Sequence, residues 1–452
     1  MASTDLFISE AERVSSNRQT DAAWLTGARQ QALQQFRERG LPTTRDEDWR
    51  FTSVTPIADS RFVLPANGAS SLQAADLAPF QWDGDRSATL VFVNGAYVAA
   101  ASNVRDLPAG VRVENLSHAM SSRGEGLEAH LTRLGENDRR AFTALNTAFL
   151  ADGAFVFVPN GTAVPKPIHL LFLSIGEAQP TMTHPRVLVV AGATSEVTIV
   201  ESYGARSSTR STGSGQAGSG RAGQPYLTNA VTEIVAGENA TITHYKIQRE
   251  HPDSFHMAAM YLHAARNSTV ASHSISLGGA LVRNDIVAVL DGEGAHCTLN
   301  GLYLCDGSRI VDNHTTIDHA KPHCDSREVY KGILADRARA VFNGKIVVRP
   351  DAQKTDAKQT NKALLLSEDA QINTKPQLEI FANDVKCTHG AAIGQMDDDA
   401  IFYLRARGLG AAQARDMLVH AFAGDVLNQM PLAPLRARVD EELSQRLARW
   451  RT

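Results

Sequence analysis

The chain has 452 residues, with Lys+Arg 45 against Asp+Glu 49 and a formal net charge of -4, so it can bury a large core and offers no general electrostatic case for nucleic acid or an anionic membrane. Its four cysteines, Cys297, Cys305, Cys324 and Cys387, all fall in the second half, do not make a disulfide framework and suit a reducing compartment. MASTDLFISEAERV has neither an apolar signal core nor an Arg-rich transit character, and no run of about 18 apolar residues occurs, so a cytoplasmic protein without membrane spans is expected.

Trp24, Leu25, Ala28, Ala32, Leu33 and Phe36 recur at three-and-four spacing, which predicts a helix ended by Gly40 and Pro42. In LVFVNGAYV, Asn94-Gly95 between apolar runs predicts a two-residue hairpin. These features make 1–150 an N-terminal helical and mixed region.

From about Phe155 the chain becomes strand-rich, and short turns ending in Ala or Ser launch alternating strands: GATS before EVTIVE, GENA before TITHYKI, ARNS before TVASHSI, GEGA before HCTLNGLYL, ADRA before RAVFNGKIVV and SEDA before QINTKPQLEI. The turn-final residues Ala240, Ser268, Ala295, Ala338, Ala370 and Ala400 are separated by 28, 27, 43, 32 and 30 residues. Turns this brief cannot hold crossover helices, so parallel stacking favours a mainly β fold, a β-helix over 151–396, with an antiparallel sandwich as the alternative. The segment 207–224, SSTRSTGSGQAGSGRAGQ, has no apolar anchor and is expected to be a flexible loop between coils.

Beyond Asp397-Asp398-Asp399 the period turns helical, making 397–452 a C-terminal helical region. Gly408-Leu409-Gly410 separates two helices, and Ala414, Met417, Leu418, Ala421 and Phe422 fall on one face of the second. After Pro431 and Pro434, Leu435, Val439, Leu443 and Leu447 recur every four residues. The region serves as a cap on the last coil, as a docking surface, or as both.

Chemistry concentrates in two places. In VKCTHGAAIGQ an extended backbone projects Cys387 and His389 to one face and Lys386 and Thr388 to the other. A thiolate with an imidazole suits iron, zinc, copper or iron–sulfur chemistry, but two ligands do not close a site; the plain alternative is a cysteine packed as a small hydrophobe. NHTTIDHAKPHCDS carries His314, His319, His323 and Cys324, at spacings that match no standard zinc pattern, so a zinc site and a set of turn-satisfying residues both stand. No P-loop, Gly-x-Ser-x-Gly or His-Glu-x-x-His motif is present, so this chain is expected to bind no nucleotide. A carbohydrate-active β-helix enzyme, drawing on Asp285, Asp291, Asp312 and Asp325, remains an alternative.

The run SREVYKGILADRARAVFNGKIVVRPDAQKTDAKQTNKALLLSEDAQINTKPQLEIFANDVKCTHGAAIGQMDDDAIFYLRARGL resembles the signature of the SufB/SufD family of the Suf iron–sulfur assembly system. EDWRFT, LNTAFLADGAFVFVP and Cys-Thr-His-Gly-Ala at 387–391 are similar to its D-type branch, since B-type members place a glutamate after the shared histidine, where this chain has Gly390. The resemblance implies a right-handed parallel β-helix between helical ends and a non-catalytic scaffold. It implies pairing with SufB, energy from the ATPase SufC, and a homodimer as an option without SufB. It further implies a transient iron–sulfur cluster at the SufB seam, with His389 contributing an iron ligand and Cys387 as a second ligand or sulfur acceptor. The SufC contact it carries over is the segment from Phe402 to Val426, with Phe402, Tyr403, Leu404, Arg405, Arg407, Gly408, Met417 and Phe422.

Overall fold

The computed structural model describes residues 3–16, 22–66, 72–122, 126–136, 138, 140–206 and 224–450; the Ser/Gly-rich segment, Gln224 apart, lies outside the described residues. Two parallel sheets face each other, and the chain alternates between them. One runs through Gly153–Val158, Arg186–Ala191, Tyr226–Ala236, Phe255–Ala264, Leu281–Leu290, Ile310–His319, Arg339–Val348 and Gln371–Ile380. The other runs through Ala88–Val93, Ile168–Ser174, Glu196–Ala205, Thr241–Arg249, Thr269–Ser276, His296–Cys305, Asp325–Leu334, Asp356–Leu365 and Lys386–Gln395. This is a parallel β-solenoid, as expected, and the parallel pairing of successive coils sets the antiparallel sandwich aside.

The repeat has a physical cause. At one corner a residue with positive φ, among them Thr194, Asn239, Asn267, His323 and Lys354, reverses the chain. The next residue, Ser195, Ala240, Ser268, Cys324 or Thr355, is fully buried before the strand starts, and only a small side chain fits there. Two corrections follow. The sequence period mixed two interleaved series, because Ala240, Ser268 and Ala295 precede strands of one sheet while Ala338 and Ala370 precede strands of the other. Along one sheet, strands begin at Thr241, Thr269, His296, Asp325, Asp356 and Lys386, at intervals of 28, 27, 29, 31 and 30 residues. Ala400 ends no turn; it lies in the helix Asp398–Arg405.

Inside the coils, odd-numbered residues of His296–Cys305 and even-numbered residues of Asp325–Leu334 face the lumen, as the buried Leu299, Tyr303, Tyr330 and Leu334 show. Close stacking needs glycine here: a Cβ on Gly301 would lie 2.2 Å from the Tyr330 ring, and one on Gly332 would lie 2.3 Å from Tyr303. The rings of successive coils therefore pass over glycines.

The N-terminal helices Ser3–Ser16 and Ala23–Arg39 pack with Ala141–Phe149 through Phe7, Phe36, Phe142 and Phe149, against Met182, Leu227 and Phe255 of the first sheet. The hairpin at Asn94-Gly95 forms, with Phe92 paired to Tyr97 and both turn residues at positive φ. At the other end, Leu435, Val439, Leu443 and Leu447 are buried as their spacing requires. The helix Ala411–Leu427 is turned from its expected face: Ala414, Val419, Ala423, Val426 and Leu427 are buried, whereas Met417 is 50% exposed.

Candidate functional site

Among the described residues Lys386–Gln395 pairs only with Asp356–Leu365, and Gln371–Ile380 only with Arg339–Val348, so both strands of the last coil leave one edge free. Edge strands are ordinarily protected by charge, cover or irregularity. Here Lys386 is the single charged residue of KCTHGAAIGQ, and the strand is exposed along nearly its whole length. Register places Cys387 on Ala357, His389 on Gln359 and Ile393 on Ala363, so these side chains continue the lumen-facing columns into a coil on which no further strand stacks among the described residues. Ile380, Ile393 and Phe381 stand exposed around the opening, Phe381 at 62%. Spacing alone does not single out these apolar residues; their signal is an apolar pattern in the last coil of the described solenoid.

Cys387 and His389 share a face, as strand alternation required, but differ in state. Cys387 is half-buried beside Ala357, Leu378, Ala382 and Val385, and burial pushes its thiol up, away from the thiolate. His389 is exposed, and Gly390 beside it opens onto free space. One imidazole and one thiol are too few for a cluster, and among the described residues no three His, Cys, Asp or Glu side chains come together as a metal site.

The second sequence candidate dissolves on inspection of faces. His314 points outward beside Asp312, at 2.9 Å, whereas His319 points into the lumen at 2.9 Å from the Ser326 hydroxyl. His323 occupies the corner with positive φ, and the Cys324 thiol donates to the Gly292 carbonyl. The zinc reading is thereby corrected: strand alternation and an intervening corner separate the four residues.

The carboxylates that a carbohydrate-active enzyme would draw on are engaged in ion pairs. Arg283 bridges Asp285 and Asp312, stacks 3.9 Å from the Trp49 ring and ties the EDW turn to the solenoid. Despite burial, the adjoining cations hold Asp285 at about 2 and Asp312 below the usual carboxylate range. Asp291 pairs with His263, and Asp325 with Arg327 on the other sheet.

Below the opening the lumen turns polar. Gln359 stacks on Glu328, and its Nε2 donates to Glu328 Oε2 at 2.8 Å. Both side chains are almost wholly buried. Burial raises the Glu328 carboxyl to about 7, with Thr315 and Gln359 only partly offsetting it.

On the C-terminal helices, Phe402 and Tyr403 are exposed, Phe402 at 73%, and the Arg407 guanidinium stacks 3.4 Å from the Tyr403 ring. Leu404 is half-buried, and Arg405, Arg407 and Gly408 are exposed. Phe422 is half-buried, its ring 4.3 Å from Lys331 Nζ, and its carbonyl accepts from the same ammonium. Among the described residues no helix is long and apolar enough to cross a membrane.

Comparison with known proteins agrees with this architecture. Residues 173–422 match the model for the SufBD core domain of SUF-system FeS cluster assembly, and residues 3–170 match the SufBD N-terminal region. An iron–sulfur cluster assembly SufBD family protein of Synechocystis sp. is 38% identical over 94% of this chain and 92% of its own length. The iron–sulfur cluster assembly protein SufD of Escherichia coli is 33% identical over 92% of each chain, and that of Bacillus subtilis is 23% identical over 94% of each. The chain therefore belongs to the SufBD family of iron–sulfur cluster assembly proteins, and within that family it is SufD-like.

Proposed function

We propose that this chain is a non-catalytic scaffold subunit whose open last coil pairs with a SufB-type partner, and that an iron–sulfur cluster is assembled across the seam as cargo. The observation that carries the reading is His389: an exposed imidazole on a lumen-facing column, in a terminal strand with an unpaired edge. A second chain adding to that edge brings backbone donors and acceptors to the free side of the strand and further ligands to the imidazole. His389 contributes an iron ligand. Cys387 joins as ligand or sulfur acceptor once a neighbouring cation or metal draws off its proton. The energy comes from a SufC-type ATPase docked on Phe402, Tyr403, Leu404, Arg405, Arg407, Gly408, Met417 and Phe422, where exposed aromatic and arginine side chains supply anchors of the type that dominate protein interfaces. The setting is the cytoplasm.

The test is His389→Ala, co-expressed with the B- and C-type partners and purified without oxygen. The expected result is an unchanged subunit ratio with iron and acid-labile sulfide lost. Unchanged cluster content defeats the assignment.

A further inference from the structure

The proposed ligand His389 sits in register directly on Gln359, which sits on Glu328. Gln359 is 2% exposed, and its side chain spans the lumen: a Cβ on Gly344 of the facing sheet would lie 2.1 Å from Gln359 Nε2. Nε2 is committed to Glu328, while Gln359 Oε1 is buried without a hydrogen-bond partner. An unpaired buried amide oxygen is costly, and here it lies one layer beneath the exposed His389 imidazole. Metal-bound histidines ordinarily donate their second ring N–H to a carbonyl or carboxylate, which fixes tautomer and orientation.

We propose that Gln359 is the positioning residue for His389, accepting its second N–H at Oε1 when the ring takes iron, and that Glu328 holds the Gln359 amide in the orientation this requires. The inference rests on the ligand reading of His389. Glu328 anchors the column rather than touching the cargo. Gly344 is the third part of the device, since any side chain there displaces the amide.

The experiment uses the full complex with its B- and C-type partners, comparing Gln359→Met, Glu328→Leu and Glu328→Gln with His389→Ala. Iron and acid-labile sulfide are measured beside the melting temperature and the subunit ratio. Met matches Gln in shape without an acceptor, and Gln at 328 still accepts from Gln359. The expected result is a loss of cluster retention of about tenfold in Gln359→Met and Glu328→Leu, as for other supporting partners of metal ligands, with Glu328→Gln restoring it to near the wild type. Wild-type retention in Gln359→Met, when His389→Ala has lost its clusters, overturns this inference and leaves the ligand reading standing. Wild-type retention in His389→Ala overturns both. Cluster loss that merely follows the melting temperature across the three lumen variants also overturns it, because a purely structural column would behave that way.

Discussion

The two ends of the solenoid are built on opposite principles. At the first end, Gly153–Val158 is almost wholly buried, its antiparallel partner Arg112–Asn115 closes the edge, and Leu25 of the helix Ala23–Arg39 packs with Phe155 on the outer face. At the last end, Lys386–Gln395 is exposed along almost its entire length with an open edge. A coil costs the same backbone order at either end, so leaving one uncovered forgoes burial that the other obtains. The closed end is completed within the chain; at the open end, among the described residues, one strand edge stays unpaired, and it is there that the proposed partner would add.

The largest effect that sharpens this contrast lies at the closed end. Arg186 and Glu233 form an ion pair at 2.7 Å with both side chains buried, and Glu233 also accepts the backbone N–H groups of Thr132 and Leu134. Arg186→Ala leaves that carboxylate buried and uncompensated, so denaturant unfolding should show a loss of about 3–5 kcal/mol.

The second effect lies between the ends. The Glu328 carboxyl is raised to about 7 by burial, so the folded chain holds its proton where the unfolded chain releases it. Its contribution is therefore least unfavourable at acid pH, worsens as pH rises between the ordinary glutamate range and about 7, and is constant above that. Glu328→Gln removes the ionisation and should gain roughly 1–3 kcal/mol at pH 8 relative to the parent, with the gain shrinking towards pH 5. Unfolding curves at the two pH values check the sign.

A smaller effect separates surface from core at the open end. Ile393→Asp should alter the stability of the isolated chain by no more than about 0.5 kcal/mol, yet prevent co-purification with the B-type partner. A stability loss typical of a core residue would mean that the last coil is not open. Smallest is a difference in thiol reactivity. Cys387 should alkylate slowly at pH 8 because burial raises its thiol, and Cys297 and Cys305, pushed up to about 12 inside the lumen, should react only on unfolding.

How far the sequence reveals this contrast depends on how local each feature is. Leu435, Val439, Leu443 and Leu447 stand among polar residues, so periodicity identified the buried face of that helix uniquely. In AAQARDMLVHAFAGDVL apolar residues surround the axis; spacing permits several faces, and the solenoid surface selects the one through Val419 and Ala423. Alternation put Cys387 and His389 on one side, but which side faces the lumen depends on register with Ala357 and Gln359, about one coil away. The corner rule was visible only as Ala and Ser, so Cys324 and Thr355, buried at the same station, escaped it. The Arg186–Glu233 pair joins positions with no sequence pattern between them, and only the folded chain shows it.

Hydrogen exchange across the last coil tests the open-end account most directly. In the isolated chain the backbone amides of Lys386–Gln395 on the unpaired edge should exchange far faster than those of Gly153–Val158, and addition of the B-type partner should slow them selectively. Equal protection at both ends of the isolated chain, or partner-induced protection that bypasses the last coil, would contradict the claim that this end is left open for a second polypeptide.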